Sequence, residues 1–491
     1  MIRAERRAFM LFALIACLGL ASAAAQTNAV KPAHKVLPNG LEVFVVENHT
    51  VPLATVEVAF RGGAIAQDPQ NAGLFHLYEH MLFTSNEKYT TEGAFKAALS
   101  KMGVSNWNGA TGNEYINYYI VVPSEKLADG VEFWSWAVKK PLFNEEKLAK
   151  EKEVVINEIR GYQVDPDMIF NQACEMKMFS AFPWRKNIDG PESNIKNATV
   201  AQLQDIRSKY YIPKNTAVFI GGDVKPEEAF ALVQKWFGDW TGGEAPKEAE
   251  EPQAQLASDI KLVYPDDSFY DGLAEVEFQW RGPDSARQTK DTYISDVFTY
   301  MLSSPVGRFK QDLMKACPGL YDERYINIGY PTYRDGGYYY FSTYMLVDPK
   351  QYGPTMDRVA ALKKALDDEF TLIAKDPEAY FGKEELAKAK AKLVDQNLLG
   401  TEKPTDYLTS TLTFWWAAVS TDYFFGYDAN CAKVGFEDVK GLLDTYLVGK
   451  PSLWGFRIKA DEYASENMAD QGSKAGYSVI TADNAYWWQT K

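Results

Sequence analysis

The segment His76-Leu77-Tyr78-Glu79-His80 has the residue types and spacing of a catalytic metal site. On a helix, residues four apart share one face, and a residue three positions along lies beside them. Two imidazoles and one carboxylate would therefore point at a common place. A catalytic zinc requires such a set, with nitrogen ligands and a base close to the water it activates. With four histidines in 491 residues, few chains would carry this pattern by chance.

The residues around this pair predict a helix that is largely buried. Phe75, Leu77, Met81 and Phe83 are apolar and occupy its other sides. The alternative is a solvated helix face on which two histidines align by chance. Buried imidazoles and a buried carboxylate without partners would cost free energy, and a bound metal removes that cost. The apolar flanks therefore favour a metal site.

A third metal ligand is expected from the segment Asn144–Tyr162. Asn144 can cap a helix whose first turn is acidic. Glu151 and Glu158 are two helical turns apart, so they lie on one face of that helix. Such a pair is also typical of a solvated stripe, and the spacing does not decide which glutamate would bind a metal.

Together these segments resemble the inverzincin metallopeptidases, the family of pitrilysin, insulysin and the mitochondrial processing peptidases. The resemblance extends from about residue 34 to about residue 455. It implies that His76, His80 and Glu158 bind one Zn²⁺ per chain, that Glu79 is the general base, and that Glu151 supports it. Zinc would polarise the scissile carbonyl and acidify water, while Glu79 would move the proton to the leaving amine. The implied activity is hydrolysis of peptides or unfolded polypeptides.

A third segment, Asn108–Tyr119, is similar to the edge strand with which this family pairs its substrate. Gly109 stands where alanine is usual in the family. The resemblance implies substrate contacts from five residues of this segment: Asn108, Gly109, Ala110, Thr111 and Tyr118.

The second half departs from the family pattern at a substrate clamp. Members often carry an arginine and a tyrosine seven residues apart, which stabilise the developing oxyanion. Tyr321 matches the tyrosine, but Met314 stands at the arginine position, and a thioether donates no hydrogen bond. A partner subunit could supply the pair, Lys315 could be the donor, or the activity could be impaired. Alternatively, Tyr321 is only a packed strand residue.

The chain reads as two copies of one design. A shift of 220 residues superimposes Thr55–Gly63 on Glu275–Pro283, with Glu57 on Glu277 and Arg61 on Arg281. His76 then meets Asp296, so the second copy lacks the metal site. Short alternating strands between amphipathic helices predict an α+β fold: two homologous halves, each an antiparallel sheet covered by helices. The resemblance implies that the halves enclose a chamber.

Composition divides the chain into five segments. Residues 241–256, rich in Gly, Pro, Ala and Glu, are typical of a linker. We predict a signal peptide at 1–25, a zinc-binding half at 30–240, a linker at 241–257, a second half at 258–460 and a tail at 461–491.

The N-terminus is typical of a cleaved signal peptide. Arg3, Arg6 and Arg7 precede the apolar run Phe9–Leu20, which is short for a membrane span, and small residues follow. A periplasmic or secreted location is expected, without an integral membrane span. Arg6-Arg7 also resembles a twin-arginine signal and Cys17 a lipoprotein site, so both export routes stay open.

Charge and cysteine content exclude other classes. A net charge of −14 argues against a nucleic-acid partner, which would require a basic footprint. Cys174, Cys317 and Cys431 remain after the signal, so the fold is not a disulfide scaffold. The expected partners are peptide substrates and, as a homo- or heterodimer, a related zinc-lacking subunit. The alternative function is a non-catalytic scaffold or peptide-binding subunit of the same family.

Overall fold

The computed structural model describes residues 30–252 and 255–489, so the predicted signal peptide lies outside the described residues. The chain forms two six-stranded sheets, one after the other. The first has the order β1-β2-β6-β3-β5-β4 and the second β12-β7-β11-β8-β10-β9. The strands are β1 Ala33–Val36, β2 Glu42–Glu47, β3 Leu53–Arg61, β4 Asn106–Thr111, β5 Tyr115–Pro123, β6 Thr216–Gly222, β7 Ile260–Asp266, β8 Leu273–Arg281, β9 Asn327–Gly329, β10 Tyr338–Leu346, β11 Leu453–Lys459 and β12 Tyr477–Val479.

Helices lie between the strands of each sheet along the chain. Those of the first half are α1 Leu74–Leu82, α2 Glu92–Lys101, α3 Leu127–Lys139, α4 Glu145–Gln163, α5 Pro166–Met178, α6 Glu192–Asn197, α7 Val200–Tyr210 and α8 Pro226–Phe237. Those of the second are α9 Thr289–Leu302, α10 Arg308–Ala316, α11 Pro349–Tyr352, α12 Thr355–Lys375, α13 Pro377–Leu399, α14 Pro404–Asp406, α15 Thr413–Ala418, α16 Thr421–Phe425, α17 Tyr427–Lys433, α18 Phe436–Tyr446, α19 Ala460–Ser465 and α20 Met468–Ala475. A π-helical turn, Tyr407–Leu412, joins α14 to α15.

The predicted duplication is confirmed by the strand positions. β3 spans Leu53–Arg61 and β8 spans Leu273–Arg281, so the two central strands differ by the same shift of 220 residues. Helices α1 and α9 end at Leu82 and Leu302, which keeps that shift. Five strands have the same order in the two sheets: β2-β6-β3-β5-β4 in the first corresponds to β7-β11-β8-β10-β9 in the second. The sixth strand differs, because β1 comes from the start of the first half and β12 from the end of the second. The α+β class with two homologous halves is therefore correct.

Both sheets are mixed, whereas the sequence predicted antiparallel ones. β2 pairs with β6 in parallel, and β7 pairs in parallel with β11 and β12. Parallel neighbours need a long crossover connection, and α1 to α7 lie between β2 and β6. Every residue of β6 is buried, as expected for a central strand covered on two faces.

The second face of each sheet is covered by helical structure from the opposite half. On the first sheet, Leu408 and Trp416 pack with Phe44 and Phe219. On the second sheet, Phe170 and other residues of α5 pack with strands β7 and β11. Each half thus contributes helices to the sheet of the other half. The alternation of apolar and polar residues along a strand does not predict which helices cover its sheet.

The segments flanking the second sheet also belong to the fold. Among the described residues, no regular helix or strand lies between Phe237 and Ile260, but the predicted domain boundaries there stay a prediction. Residues predicted as a tail supply β12 and an aromatic cluster in which Tyr486 is buried against α5. Cys174, Cys317 and Cys431 are free and buried. In the part of the chain that the structure describes, no helix is long and apolar enough to cross a membrane.

A buried carboxylate joins the first sheet to the exchanged segment. Glu57 on β3 accepts hydrogen bonds from Asn117 at 2.7 Å and Thr413 at 2.8 Å. Burial raises the pKa of Glu57 to about 7, although both hydrogen bonds act to lower it. Because this pKa exceeds that of Glu57 in the unfolded chain, the folded state binds the proton more tightly. The free energy of unfolding therefore falls as the pH rises from about 4.5 to about 7.

We therefore expect Glu57→Gln to stabilise the protein at pH 8 by up to about 3 kcal/mol, with no gain at pH 4. The amide keeps an acceptor for Asn117 and Thr413 and carries no charge. Denaturant unfolding at the two pH values measures the difference. Exposed Glu125 provides the control, since Glu125→Gln should leave the pH profile unchanged. An equal effect of Glu57→Gln at both pH values would contradict the assignment.

Candidate active site

Helix α1 holds the central residues of the site between the first sheet and helix α4. It begins after Gly73, whose φ of +89° is a conformation that favours glycine. A Cβ on Gly73 would lie 2.1 Å from the backbone oxygen of Asp189, so the start of the helix packs directly against the loop that contains Asp189. His76 and Glu79 are buried residues, with 9% and 8% of their surface exposed.

The structure brings two imidazoles and one carboxylate together. Oε2 of Glu158, on α4, lies 3.9 Å from Nε2 of His76 and 3.5 Å from Nε2 of His80. Ligands of a tetrahedral ion with bonds of ~2.1 Å lie about 3.4 Å apart, so these separations suit one ion. The three ligand atoms lie within 4.8 Å of one another.

The opposite nitrogen of each imidazole faces a different carboxylate. Nδ1 of His80 lies 3.6 Å from Oε2 of Glu151, and Nδ1 of His76 lies 3.2 Å from Oδ1 of Asp189. The geometry thus distinguishes the two glutamates of α4, whereas sequence spacing left open which of them would bind a metal. Glu158 faces the Nε2 atoms, whereas Glu151 lies behind His80.

Glu79 lies in the same cavity as the three candidate ligands. The hydroxyl of Thr111 donates a hydrogen bond to its Oε2 at 2.7 Å. Burial raises the pKa of Glu79, while that hydrogen bond and the two histidines oppose the rise. A carboxylate with a raised pKa, fixed by a hydroxyl beside the metal-binding atoms, has the properties of a general base.

Strand β4 is the free edge of the first sheet and borders this cavity. It pairs with β5 on one side only, with Gly109 opposite Tyr118. An alanine Cβ at Gly109 would lie 2.8 Å from the Phe83 ring and 3.0 Å from Oε1 of Glu79. The missing side chain therefore lets the edge strand approach the candidate base.

The cavity has a volume of about 690 Å³ and contains most of the predicted site residues. Asn108, Gly109, Ala110 and Thr111 line it. Tyr118 does not: its side chain is fully buried and its hydroxyl bonds that of Tyr211 at 2.8 Å. Tyr118 packs behind the edge strand, because side chains alternate along β5, and the substrate contact predicted for it stays a prediction.

The clamp residues of the second half lie outside this cavity. Tyr321 is half-exposed and its ring packs on Tyr325 at 5.4 Å. Met314 packs against the second hydrophobic core, and Lys315 is exposed on α10 with an ion pair to Asp312 at 3.1 Å. None of the three lines the cavity. Their predicted roles stay predictions.

Two polar residues of the site were missed by sequence analysis. The hydroxyl of Tyr162 donates to Oε1 of Glu158 at 2.9 Å, and their i,i+4 spacing on α4 could have indicated this contact. Hydrogen bonding to Glu158 raises the pKa of Tyr162 to about 12. Asp189 approaches His76 from a distant loop, and no spacing rule pairs the two.

The donor set fits zinc. Two imidazoles and one carboxylate are a common ligand set of catalytic zinc, and they leave a position for water. His76 Nδ1 is buried and makes no hydrogen bond of good geometry among the described residues, but Oδ1 of Asp189 lies only 3.2 Å from it, on the side of the ring opposite the metal-binding atoms.

Comparisons with known proteins found two family models that match this chain. The family "Insulinase (Peptidase family M16)" matches residues 42–192, and "Peptidase M16 inactive domain" matches residues 197–393. A probable mitochondrial-processing peptidase subunit beta of Arabidopsis thaliana is 25% identical over 255 residues, 51% of this chain and 47% of that protein. Zinc protease PqqE of Helicobacter pylori is 28% identical over 233 residues, 46% and 50% respectively. The matches span about half the length of these relatives.

Solved structures share the fold. A protease from Helicobacter pylori has a TM-score of 0.71 at 19% identity, covering 87% of this chain and 99% of that one. The periplasmic protease PqqL from Escherichia coli has a TM-score of 0.71 at 15% identity, covering 89% and 49%. Relatives named as zinc proteases and processing peptidases support metallopeptidase chemistry. Because the two matched regions together cover most of the chain, it belongs to the insulinase family of peptidases, family M16.

Proposed function

We propose that this protein is a zinc-dependent endopeptidase that hydrolyses peptides or unfolded polypeptides. One observation carries the proposal: Nε2 of His76, Nε2 of His80 and Oε2 of Glu158 converge beside the buried carboxylate of Glu79. A scaffold protein would require none of these residues in this arrangement.

Each residue has a distinct task in this proposal. His76, His80 and Glu158 would hold the zinc. When bound, zinc supplies a Lewis acid that polarises the scissile carbonyl and lowers the pKa of water. Glu79 would take the proton from the attacking water and deliver it to the leaving amine. The Thr111 hydroxyl orients Glu79 for both transfers, since it holds one oxygen and leaves the other free.

The substrate would bind as an added strand along β4. An exposed sheet edge offers a row of unpaired backbone N–H and C=O groups to an extended peptide. Residues Asn108 and Ala110 are exposed on this edge, and the cavity begins beside it. Strand addition recognises the peptide backbone, which favours unfolded segments over folded proteins.

A partner subunit would complete the oxyanion clamp. Met314 packs against the core, Lys315 is paired with Asp312, and Tyr321 lies outside the cavity, so the described residues offer no arginine–tyrosine pair there. A relative named as subunit beta supports assembly with a second subunit, which we propose lacks zinc. A chamber enclosed by the two halves and a periplasmic location belong to the same proposal.

A non-catalytic, peptide-binding role is the second candidate. The observation that favours it is Met314, because a chain without the clamp could bind a peptide at β4 without cleaving it. Zinc retention without hydrolysis, with or without a partner, would support this candidate.

The first experiment combines zinc content with cleavage of an unstructured peptide library by the purified chain. We expect one zinc per chain and cleavage that a chelator abolishes. Zinc binding without cleavage by the chain alone, but with cleavage once a partner subunit is added, would indicate that the clamp comes from that partner. A chain that binds no zinc would overturn the proposal.

Glu79→Gln should retain zinc and lower kcat about a hundredfold to ten-thousandfold, because the amide cannot accept the proton. Peptide cleavage and metal content of the same preparation measure both effects. Glu87→Gln is the matched control, since Glu87 is exposed just beyond α1. Turnover close to that of the wild type would exclude Glu79 as the base.

Gly109→Ala should lower kcat/KM about tenfold with zinc content unchanged, since the new methyl group displaces Phe83, Glu79 or the edge strand. The Phe83 ring is packed among Trp107, Tyr118 and Trp134, which limits its movement. Gly93→Ala is the control, because a Cβ at Gly93 meets no atom within 4 Å. Equal kinetics for the two variants would contradict the steric argument.

A further inference from the structure

Asp189 occupies a defined position behind the candidate zinc ligand His76. Its Oδ1 atom lies 3.2 Å from Nδ1 of His76, while Nε2 of the same ring faces Glu158. The two ring nitrogens therefore have opposite roles: one faces the metal-binding atoms and the other a carboxylate. Asp189 itself cannot join the ligand set from this side of the ring.

The loop that carries Asp189 is fixed by buried amides. Gln67 donates to the backbone oxygen of Asn187 at 2.8 Å and accepts from the backbone of Gly73 at 2.7 Å. The Asn187 side chain bonds Gln172 at 3.1 Å and accepts from Gly190 at 2.6 Å. These bonds tie the loop to the start of α1 and to α5, so the Asp189 backbone cannot drift away from His76.

Close backbone packing fixes the same loop a second time. Gly190 has φ of +66°, and a Cβ there would lie 2.3 Å from the backbone oxygen of Ala72. Gly73 packs on the oxygen of Asp189 in the same way. Two glycines facing each other's backbone bring the loop and the helix into direct contact, which sets the distance from Asp189 to the ring of His76.

The other two candidate ligands have equivalent supports. Glu151 lies behind His80, and Tyr162 donates to the outer oxygen of Glu158. The buried Nδ1 of His76 makes no hydrogen bond of good geometry among the described residues, and the carboxylate of Asp189 lies 3.2 Å from it. An N–H without an acceptor at a buried site costs free energy and leaves the ring tautomer undetermined.

We propose that Asp189 is a positioning residue for His76, an assignment that rests on the proposed zinc site. The carboxylate accepts a hydrogen bond from the Nδ1–H group, selects the tautomer whose Nε2 lone pair is free, and fixes the plane of the ring. Its negative charge also strengthens His76 as a ligand. Partners of this kind contribute about 10- to 100-fold to metal affinity.

Two substitutions separate the charge of Asp189 from its hydrogen bond. Asp189→Asn keeps an acceptor oxygen of similar size and removes the charge, whereas Asp189→Leu removes both. We expect the Kd for zinc to rise about 10-fold in the first variant and about 100-fold in the second. Asp205→Asn, on the exposed face of α7, should leave the Kd unchanged.

The measurements do not depend on activity. Chelator competition gives the zinc Kd, and the absorption spectrum of the Co²⁺-loaded protein reports the geometry around the metal. The Tm of the metal-free variants shows whether the fold survives. If Asp189→Leu does not fold, the Asn variant decides, because its isosteric side chain preserves the loop.

The outcomes distinguish this inference from the function on which it rests. A wild-type chain that binds no zinc overturns the proposed function, and the positioning role with it. A wild-type chain that binds zinc while both folded variants stay within twofold of its Kd overturns only the role of Asp189. A graded loss from wild type to Asn to Leu, with a changed Co²⁺ spectrum, supports it.

Discussion

The burial of ionisable side chains at one place is the constraint on which the active-site region depends. His76 and Glu79 are almost fully buried on α1, and Glu151 and Glu158 approach them from α4. Ionisable groups in a low-dielectric site must have partners or a metal, because desolvation otherwise costs several kcal/mol. Thr111 and Tyr162 donate hydrogen bonds to Glu79 and Glu158, and Asp189 and Glu151 lie behind the two histidines. The Nε2 atoms of the histidines and Oε2 of Glu158 lie close to one another.

This convergence depends on how the two halves are joined. Helix α4, which carries Glu158, is followed after a turn at Asp165 by α5, and α5 packs on the second sheet. Arg457 on β11 pairs with Asp167 near the start of α5. The candidate zinc ligand of the first half is thus anchored by the second half. A half without the exchanged helices would leave one face of its sheet exposed and this helix unsupported.

The second half keeps the architecture of the first but not its chemistry. Asp296 occupies the position of His76, and its buried carboxyl accepts a hydrogen bond from Tyr427 at 2.6 Å. Burial raises the pKa of Asp296 to about 7, although the hydrogen bond from Tyr427 acts to lower it. The counterpart of the edge strand is β9, only three residues long. Among the described residues, the candidate metal site therefore lies in the first half, while the second half packs against helix α5 next to it.

Local pattern in the sequence determined the elements and most of the candidate site. The spacing of His76, Glu79 and His80 places them on one face of a helix wherever that helix packs, and the repeat of 220 residues predicted both sheets. The tertiary structure decided which glutamate of α4 meets the histidines, since Glu151 and Glu158 share a face and only packing against α1 separates them. Asp189, the buried Tyr118 and the exchanged helices also required the folded chain. Their contacts join residues far apart in sequence, and no periodicity within a segment encodes such distances.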